Sequence, residues 1–203
     1  MADGQAIDSA AQNNLTLFGN AKLSTGQAKF GDTSLLLDGT GDFVHLPNRP
    51  NLAGPFCIET WARADDTGTA FLWCLGQYRL ELGIEGDTLR IYRVGTSTGY
   101  TSFFTGGEFT ANNWHHVALV RDTSNVIKCY LNGTASGTTI TDATAFVATD
   151  NIFIIGGESS GAPSGGAISL GWDGYVDDFR ISDFARYTSD FTAPTAAFAD
   201  KGQ

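Results

Sequence analysis

From Trp114 to Arg121 the chain reads Trp-His-His-Val-Ala-Leu-Val-Arg, a run without glycine, proline or a helical stripe. Small, branched and aromatic residues in such a run predict a strand buried on both faces in the middle of a sheet. Asp122–Asn125 follows as a turn, Val126–Leu131 as a strand, and Asn132-Gly133 as a second turn. Asn-Gly most readily puts two successive residues at positive φ, as a type I′ hairpin turn requires. The centre of the chain is therefore antiparallel β.

The same reading extends outward. Leu15–Phe18 and Ala21–Leu23 predict weak opening strands, and Ser34–Asp38, the turn Gly39–Gly41 and Asp42–Leu46 predict a hairpin. Phe56–Arg63 alternates, with Phe56, Ile58, Thr60 and Ala62 on one face and Cys57, Glu59, Trp61 and Arg63 on the other. Residues 70–75, 78–84, 88–93 and 100–104 predict four further strands between Gly or Asp turns. Gly156–Gly166 is a polar, glycine-rich loop expected at a rim, where binding loops sit. Trp172–Ser182 closes the chain as a strand whose Tyr175, Asp177, Phe179 and Ile181 are expected on one face, opposite Val176, Asp178, Arg180 and Ser182. A helical turn is expected over Phe184–Tyr187 and an extended segment over Phe191–Thr195. Strands every 8 to 12 residues with turn signals between them predict a sandwich or jelly roll.

Composition supports this and narrows the partners. The 203 residues suffice for one all-β domain with a full two-sheet core, and the 25 glycines suit tight turns. A formal charge of −10 argues against nucleic acid or an anionic membrane surface, which need a basic patch. No stretch of about 20 apolar residues is present to span a bilayer. Met-Ala-Asp-Gly-Gln at the start has neither a basic beginning nor an apolar run, so no secretory signal is read there. The sequons at Asn14 and Asn132 are accordingly discounted. Cys57, Cys74 and Cys129 lie in apolar strand contexts, are odd in number and form no Cys-x-x-Cys. They read as buried free thiols of a protein folded in a reducing cytosol.

The order of Phe30-Gly31, Ser34-Leu-Leu-Leu-Asp-Gly39, Gly41-Asp-Phe-Val44, Phe56-Cys-Ile-Glu-Thr-Trp61, Trp114–Arg121, Tyr130-Leu-Asn-Gly133, Ile155-Gly156 and Gly174-Tyr-Val-Asp-Asp-Phe-Arg-Ile181 resembles the laminin-G-like jelly rolls of the concanavalin A-like lectin and glucanase superfamily. The resemblance covers about residues 8–198. It implies an antiparallel two-sheet β-sandwich, but one frame serves lectins, adhesion modules, glucanases and virion proteins. Tyr187 and Phe191-Thr-Ala-Pro194 further resemble versions common in marine bacteria and their phages.

Three kinds of chemistry are weighed on this frame. The resemblance implies a structural Ca2+ with Asp177 as side-chain ligand and a carbonyl near Gly39 as helper; hard oxygen donors suit calcium. The residues themselves leave open an Asp hydrogen-bonded to backbone or paired with Arg180. Related glucanases carry Glu-x-Asp-x-Glu on one strand; Glu81-Leu-Gly-Ile-Glu85 has the outer pair, but Gly83 replaces the Asp, and the ordinary reading is a solvent-facing pair. His115 and His116 face apart on their strand, and with the distant His45 they read as imidazoles satisfied by hydrogen bonds rather than as a metal trio. Sugar binding needs an aromatic platform beside carboxylates and amides, for which Trp73, Tyr78, Tyr92, Tyr100 and the loop Ser159–Gly166 are the candidates.

The sequence thus predicts a single domain over 1–203, all-β, a two-sheet antiparallel jelly-roll β-sandwich without enzymatic activity. Two roles compete. One is a structural or decoration protein exposed on a phage virion, partnered by virion proteins and forming a homo-oligomer. The other is a lectin module that grips cell-surface glycans. Neither involves nucleic acid or membrane insertion.

Overall fold

The computed structural model describes residues 15–47, 52–76, 80–94, 100–146, 152–159 and 168–199. Their strands, in chain order, are β1 (Thr16–Phe18), β2 (Lys22–Ser24), β3 (Ser34–Asp38), β4 (Phe43–His45), β5 (Phe56–Ala64), β6 (Ala70–Leu75), β7 (Leu80–Glu85) and β8 (Thr88–Val94). They continue with β9 (Tyr100–Glu108), β10 (His115–Arg121), β11 (Val126–Leu131), β12 (Thr134–Thr141), β13 (Phe153–Ile155), β14 (Glu158–Ser159), β15 (Ile168–Ser169) and β16 (Asp173–Ser182). Two antiparallel sheets result. The first has the order β1-β4-β13-β6-β7-β8-β9 and the second β12-β11-β10-β5-β16-β3-β2, with β14-β15 as a small ribbon beside them. This is the expected all-β sandwich.

The period-2 pattern builds the core. Leu80, Leu82 and Ile84 of β7, Leu89 and Ile91 of β8 and Phe153 and Ile155 of β13 meet Phe56, Ile58 and Ala62 of β5 and Val117 and Leu119 of β10. Each fully buried aliphatic or aromatic side chain contributes about 1.5–3 kcal/mol by leaving water. β10 is buried along its whole length, as its sequence predicts, and pairs with β5 on one side and β11 on the other. At the end of β11, Asn132 has φ 52° and Gly133 φ 85°, the double left-handed turn that Asn-Gly favours.

Three local expectations are corrected. Ser34–Asp38 and Asp42–Leu46 are not a hairpin: β3 pairs with β16 and β2 in the second sheet, β4 with β1 and β13 in the first. Gly39 (φ 76°) and Gly41 (φ 74°) turn the chain over the rim between sheets, a path open to residues without a Cβ. The alternation of β16 also breaks. Its pairing with β5 shifts register between Asp177 and Arg180, and Asp178 has φ 50°. This bulge changes the phase, so Val176 lies in the core and Phe179 and Ile181 then pack against the same core, while Arg180 faces away. Finally, Phe184–Tyr187 forms bends and no helical turn.

Residues 183–199 instead cross the outer face of the second sheet as an irregular strap. Tyr187 and Phe191 stack with centroids 3.5 Å apart, and Phe191 meets Tyr130 at 5.3 Å and His116 at 5.7 Å. Phe191 N donates to Gly133 O at 2.9 Å, and Phe198 N donates to Asp178 Oδ2 at 2.8 Å. Cys57, Ala118, Val120 and Tyr130, outward-facing on their strands, become a second small core beneath the strap.

Candidate functional site

The aromatics expected to form a sugar platform separate into distinct environments. A register shift between Phe71 and Trp73 puts Leu72 and Trp73, neighbours in sequence, both in the core. Trp73 is 1% exposed and stacks on Phe153 at 5.9 Å, so it is a core residue and presents no ring to a ligand. Tyr78 lies outside the described residues. Tyr100 opens β9, and its side chain is likewise outside them. Of the loop at 159–166, only Ser159, at the end of β14, is described.

Tyr92 remains on the outer face of the first sheet. Leu89 and Ile91 point inward, so Arg90 and Tyr92 point out, and β7 places Glu81, Gly83 and Glu85 on the same face. Tyr92 is half-buried, with Phe71 edge-on at 5.2 Å and its hydroxyl donating to Glu85 Oε2 at 2.9 Å. Arg90 Nε lies 2.9 Å from the same carboxylate oxygen. The Glu85 side chain is 44% exposed and that of Arg90 28%. Burial, together with the adjacent Glu85, raises the Tyr92 phenol above its usual range. An aromatic ring, an open carboxylate and a guanidinium thus share one patch of sheet.

The two glutamates of the glucanase-like spacing occupy unlike settings. Glu81 is 1% exposed, opposite Tyr92 in register, and receives the Cys74 thiol at 3.4 Å, whereas Glu85 is open to solvent. Gly83 between them has no room for a side chain: a Cβ there would stand 2.2 Å from the Ala70 carbonyl oxygen. The bulge of β6 therefore excludes the middle aspartate on steric grounds.

The pair expected to hold calcium is not brought together. Asp177 Oδ2 accepts the amides of Lys29 (2.8 Å) and Phe30 (3.1 Å), and Oδ1 accepts Asp178 N at 2.9 Å. Three backbone amides thus donate to this carboxylate. Gly39 lies at the other end of β16, where a Cβ on it would come within 3.0 Å of Asp173 Cβ. Burial raises the carboxyl of Asp173, and Asp65, Asp66 and Asp38 nearby push it the same way. Among the described residues no group of three or more His, Cys, Asp or Glu is arranged to hold a metal. The three histidines are also apart. His45 is in the first sheet, His115 contacts Thr110 and Asn132, and His116 faces the opposite side of β10.

Sequence reasoning missed the densest polar cluster. Glu59 of β5 has no exposed surface. Arg180 donates to its Oε1 through Nε (2.9 Å) and Nη2 (2.7 Å), Tyr187 donates to Oε2 at 2.9 Å, and His116 Nε2 stands 3.2 Å from Oε2. Arg186 Nε is 3.5 Å from Oε1. Burial by itself would raise this carboxyl; His116, Arg180 and Tyr187 outweigh it and hold the group below the ordinary carboxylate range. The strap covers the cluster, which makes it a fastening rather than an open site. Its only sequence signal is a Glu at an outward position of a central strand.

Residues 38–190, most of the sandwich, match the laminin G type of family described as the concanavalin A-like lectin/glucanases superfamily. The chain belongs to this superfamily. Among solved structures, this laminin-G-like chain is similar to the binding domain of Paraclostridial Mosquitocidal Protein 1, with TM-score 0.64 and 12% identity over 91% of this chain and 49% of that one. It is also similar to the ligand binding domain of botulinum neurotoxin serotype D in complex with N-acetylneuraminic acid, with TM-score 0.63 and 14% identity over 86% of this chain and 43% of that one. The receptor binding domain of a botulinum neurotoxin C/D mosaic serotype superposes with TM-score 0.63 at 12% identity, over 86% of this chain and 44% of that one. The laminin-G-like chain therefore spans less than half the length of these structures, and at such identity the likeness is one of fold. No curated protein matches it by sequence.

Proposed function

We propose that this chain is a non-catalytic binding module that takes a glycan on the outer face of its first sheet, around Tyr92. The observation that carries the reading is the exposed Glu85 carboxylate beside the half-buried Tyr92 ring. A pyranose stacks an apolar face on such a ring and offers hydroxyls to such a carboxylate. A similarly folded toxin domain has been solved with N-acetylneuraminic acid, which supports a sugar as ligand class. Hydrolysis would need two carboxyls flanking one bond. Burial of Glu81 beneath the face, with Glu85 engaged by Tyr92 and Arg90, supports binding without turnover.

A second observation bears on where the module works. Cys57, Cys74 and Cys129 are buried and joined by no disulfide, and burial raises the thiols of Cys57 and of Cys129, the latter to about 12. Inert reduced thiols favour folding in a reducing compartment, and virus particles assemble there. We therefore read the module as one displayed on a phage virion toward cell-surface glycans.

A glycan panel followed by calorimetric titration tests the binding role. Tyr92→Ala is expected to weaken the best ligand roughly tenfold, the cost of about 1.4 kcal/mol of stacking. A folded protein that ignores every glycan would remove this reading.

A further inference from the structure

We propose that the ligand of the Tyr92 face is an uncharged pyranoside, and that acidic sugars are selected against. The inference rests on the glycan reading above and narrows it to a substrate class. An ion pair, Glu85 with Arg90, frames the open part of the patch. Arg90 is the cation, and it is already committed: its Nε lies 2.9 Å from Glu85 Oε2. The same oxygen takes the Tyr92 hydroxyl at 2.9 Å. Glu81, directly across from Tyr92 in the pairing of β7 with β8, is buried beneath the face and is not open to a ligand.

A sialic, uronic or sulfated sugar placed on Tyr92 would therefore meet the open Glu85 carboxylate and a guanidinium already paired with it. To pair with Arg90 it would have to displace Glu85, exchanging one ion pair for another and leaving Glu85 uncompensated beside the ligand's own charge. The chain's formal charge of −10 opposes its approach as well. A neutral sugar meets none of these terms. Its ring covers Tyr92, and a vicinal pair of hydroxyls donates to the second oxygen of Glu85 while Arg90 stays in place. The fold is shared with a domain solved in complex with N-acetylneuraminic acid, and the charges of the Tyr92 face oppose such an acidic ligand here.

The full chain and Glu85→Gln are titrated with neutral oligosaccharides (lactose, cellohexaose, mannohexaose) and with acidic ones (sialyllactose, hexagalacturonate) at low and moderate salt. The wild type is expected to bind a neutral ligand and to bind sialyllactose at least about fivefold more weakly than lactose, the factor that one like-charge contact near 4 Å gives in water. The gap should narrow as salt rises. Glu85→Gln releases Arg90, and its discrimination against the acidic ligands should shrink to about twofold or reverse. An acidic ligand held by the wild type as tightly as its neutral counterpart overturns the inference and leaves the glycan reading intact. Unchanged discrimination in Glu85→Gln overturns the assigned cause. If no sugar of either kind binds, the glycan reading falls and this inference with it.

Discussion

Glu59 gathers partners from three parts of the chain: His116 from β10, Arg180 from β16, and Tyr187 from the strap, with the Arg186 guanidinium 3.5 Å away. A buried carboxylate left without such partners would not remain ionised. Removing the carboxylate has the converse effect and leaves Arg180 turned toward an apolar face. Glu59→Ala is expected to cost about 3–5 kcal/mol. The pH dependence has a defined sign. Because the folded carboxyl titrates below its unfolded value of about 4.3, its contribution is complete above that pH and is lost as pH falls through the folded value. Thermal melts from neutral to strongly acidic pH should therefore show an acid limb that flattens in Glu59→Gln, together with lower stability at neutral pH. An unchanged acid limb would assign that dependence to other carboxylates.

At the level of elements, the strap buries the centre of the second sheet, β5, β10 and most of β11, on both sides. Its seat depends on the hairpin turn between β11 and β12. A Cβ at Gly133 would stand 2.0 Å from Phe191 O, and its φ of 85° already disfavours any other residue. Gly133→Ala should therefore push Phe191 off Tyr130 and loosen residues 183–199 before the sandwich itself opens. Limited proteolysis reads this directly, with cleavage within the strap expected several-fold faster than in wild type. A strap equally resistant in the variant would show that Tyr187 and Phe198 hold it without this turn. The bulges act at the same scale. That in β6 turns Trp73 inward, and that in β16 allows Val176 and Phe179 to share one core.

For the whole molecule, two sheets present two outer faces with different fates. One is covered at its centre by the strap; the other carries Tyr92, Glu85 and Arg90 in partial contact with solvent. A sandwich displayed on a particle through one surface can leave the Tyr92 face outward, and particles are built from symmetric sets of subunits. Light scattering on the purified chain is expected to give a closed symmetric oligomer. A monomer at all concentrations, still binding sugar, would remove the particle-structural role and keep the lectin module.

The sequence by itself determined the fold class, since Val, Ile, Leu and Phe at period 2 between Gly and Asn turns can bury their faces only as packed sheets. It determined the buried strand 115–121 and the Asn132-Gly133 turn for the same local reasons, and most strand positions within a few residues. The tertiary structure decided what depends on a single inserted residue or on a distant partner. One extra residue at Leu72 or Asp178 reverses the facing of everything after it, so alternation alone misassigns the second half of β16, and composition alone does not tell that the candidate platform residue Trp73 points into the core. The turn at Gly39–Gly41 looks alike whether it joins strands within a sheet or across the rim, and only the pairing of β3 with β16 chooses. Glu59 and Asp177 are carboxylates whose roles are set by groups 57 to 148 residues away. Local pattern specifies which face a strand can bury; what covers that face is settled only when the rest of the chain arrives.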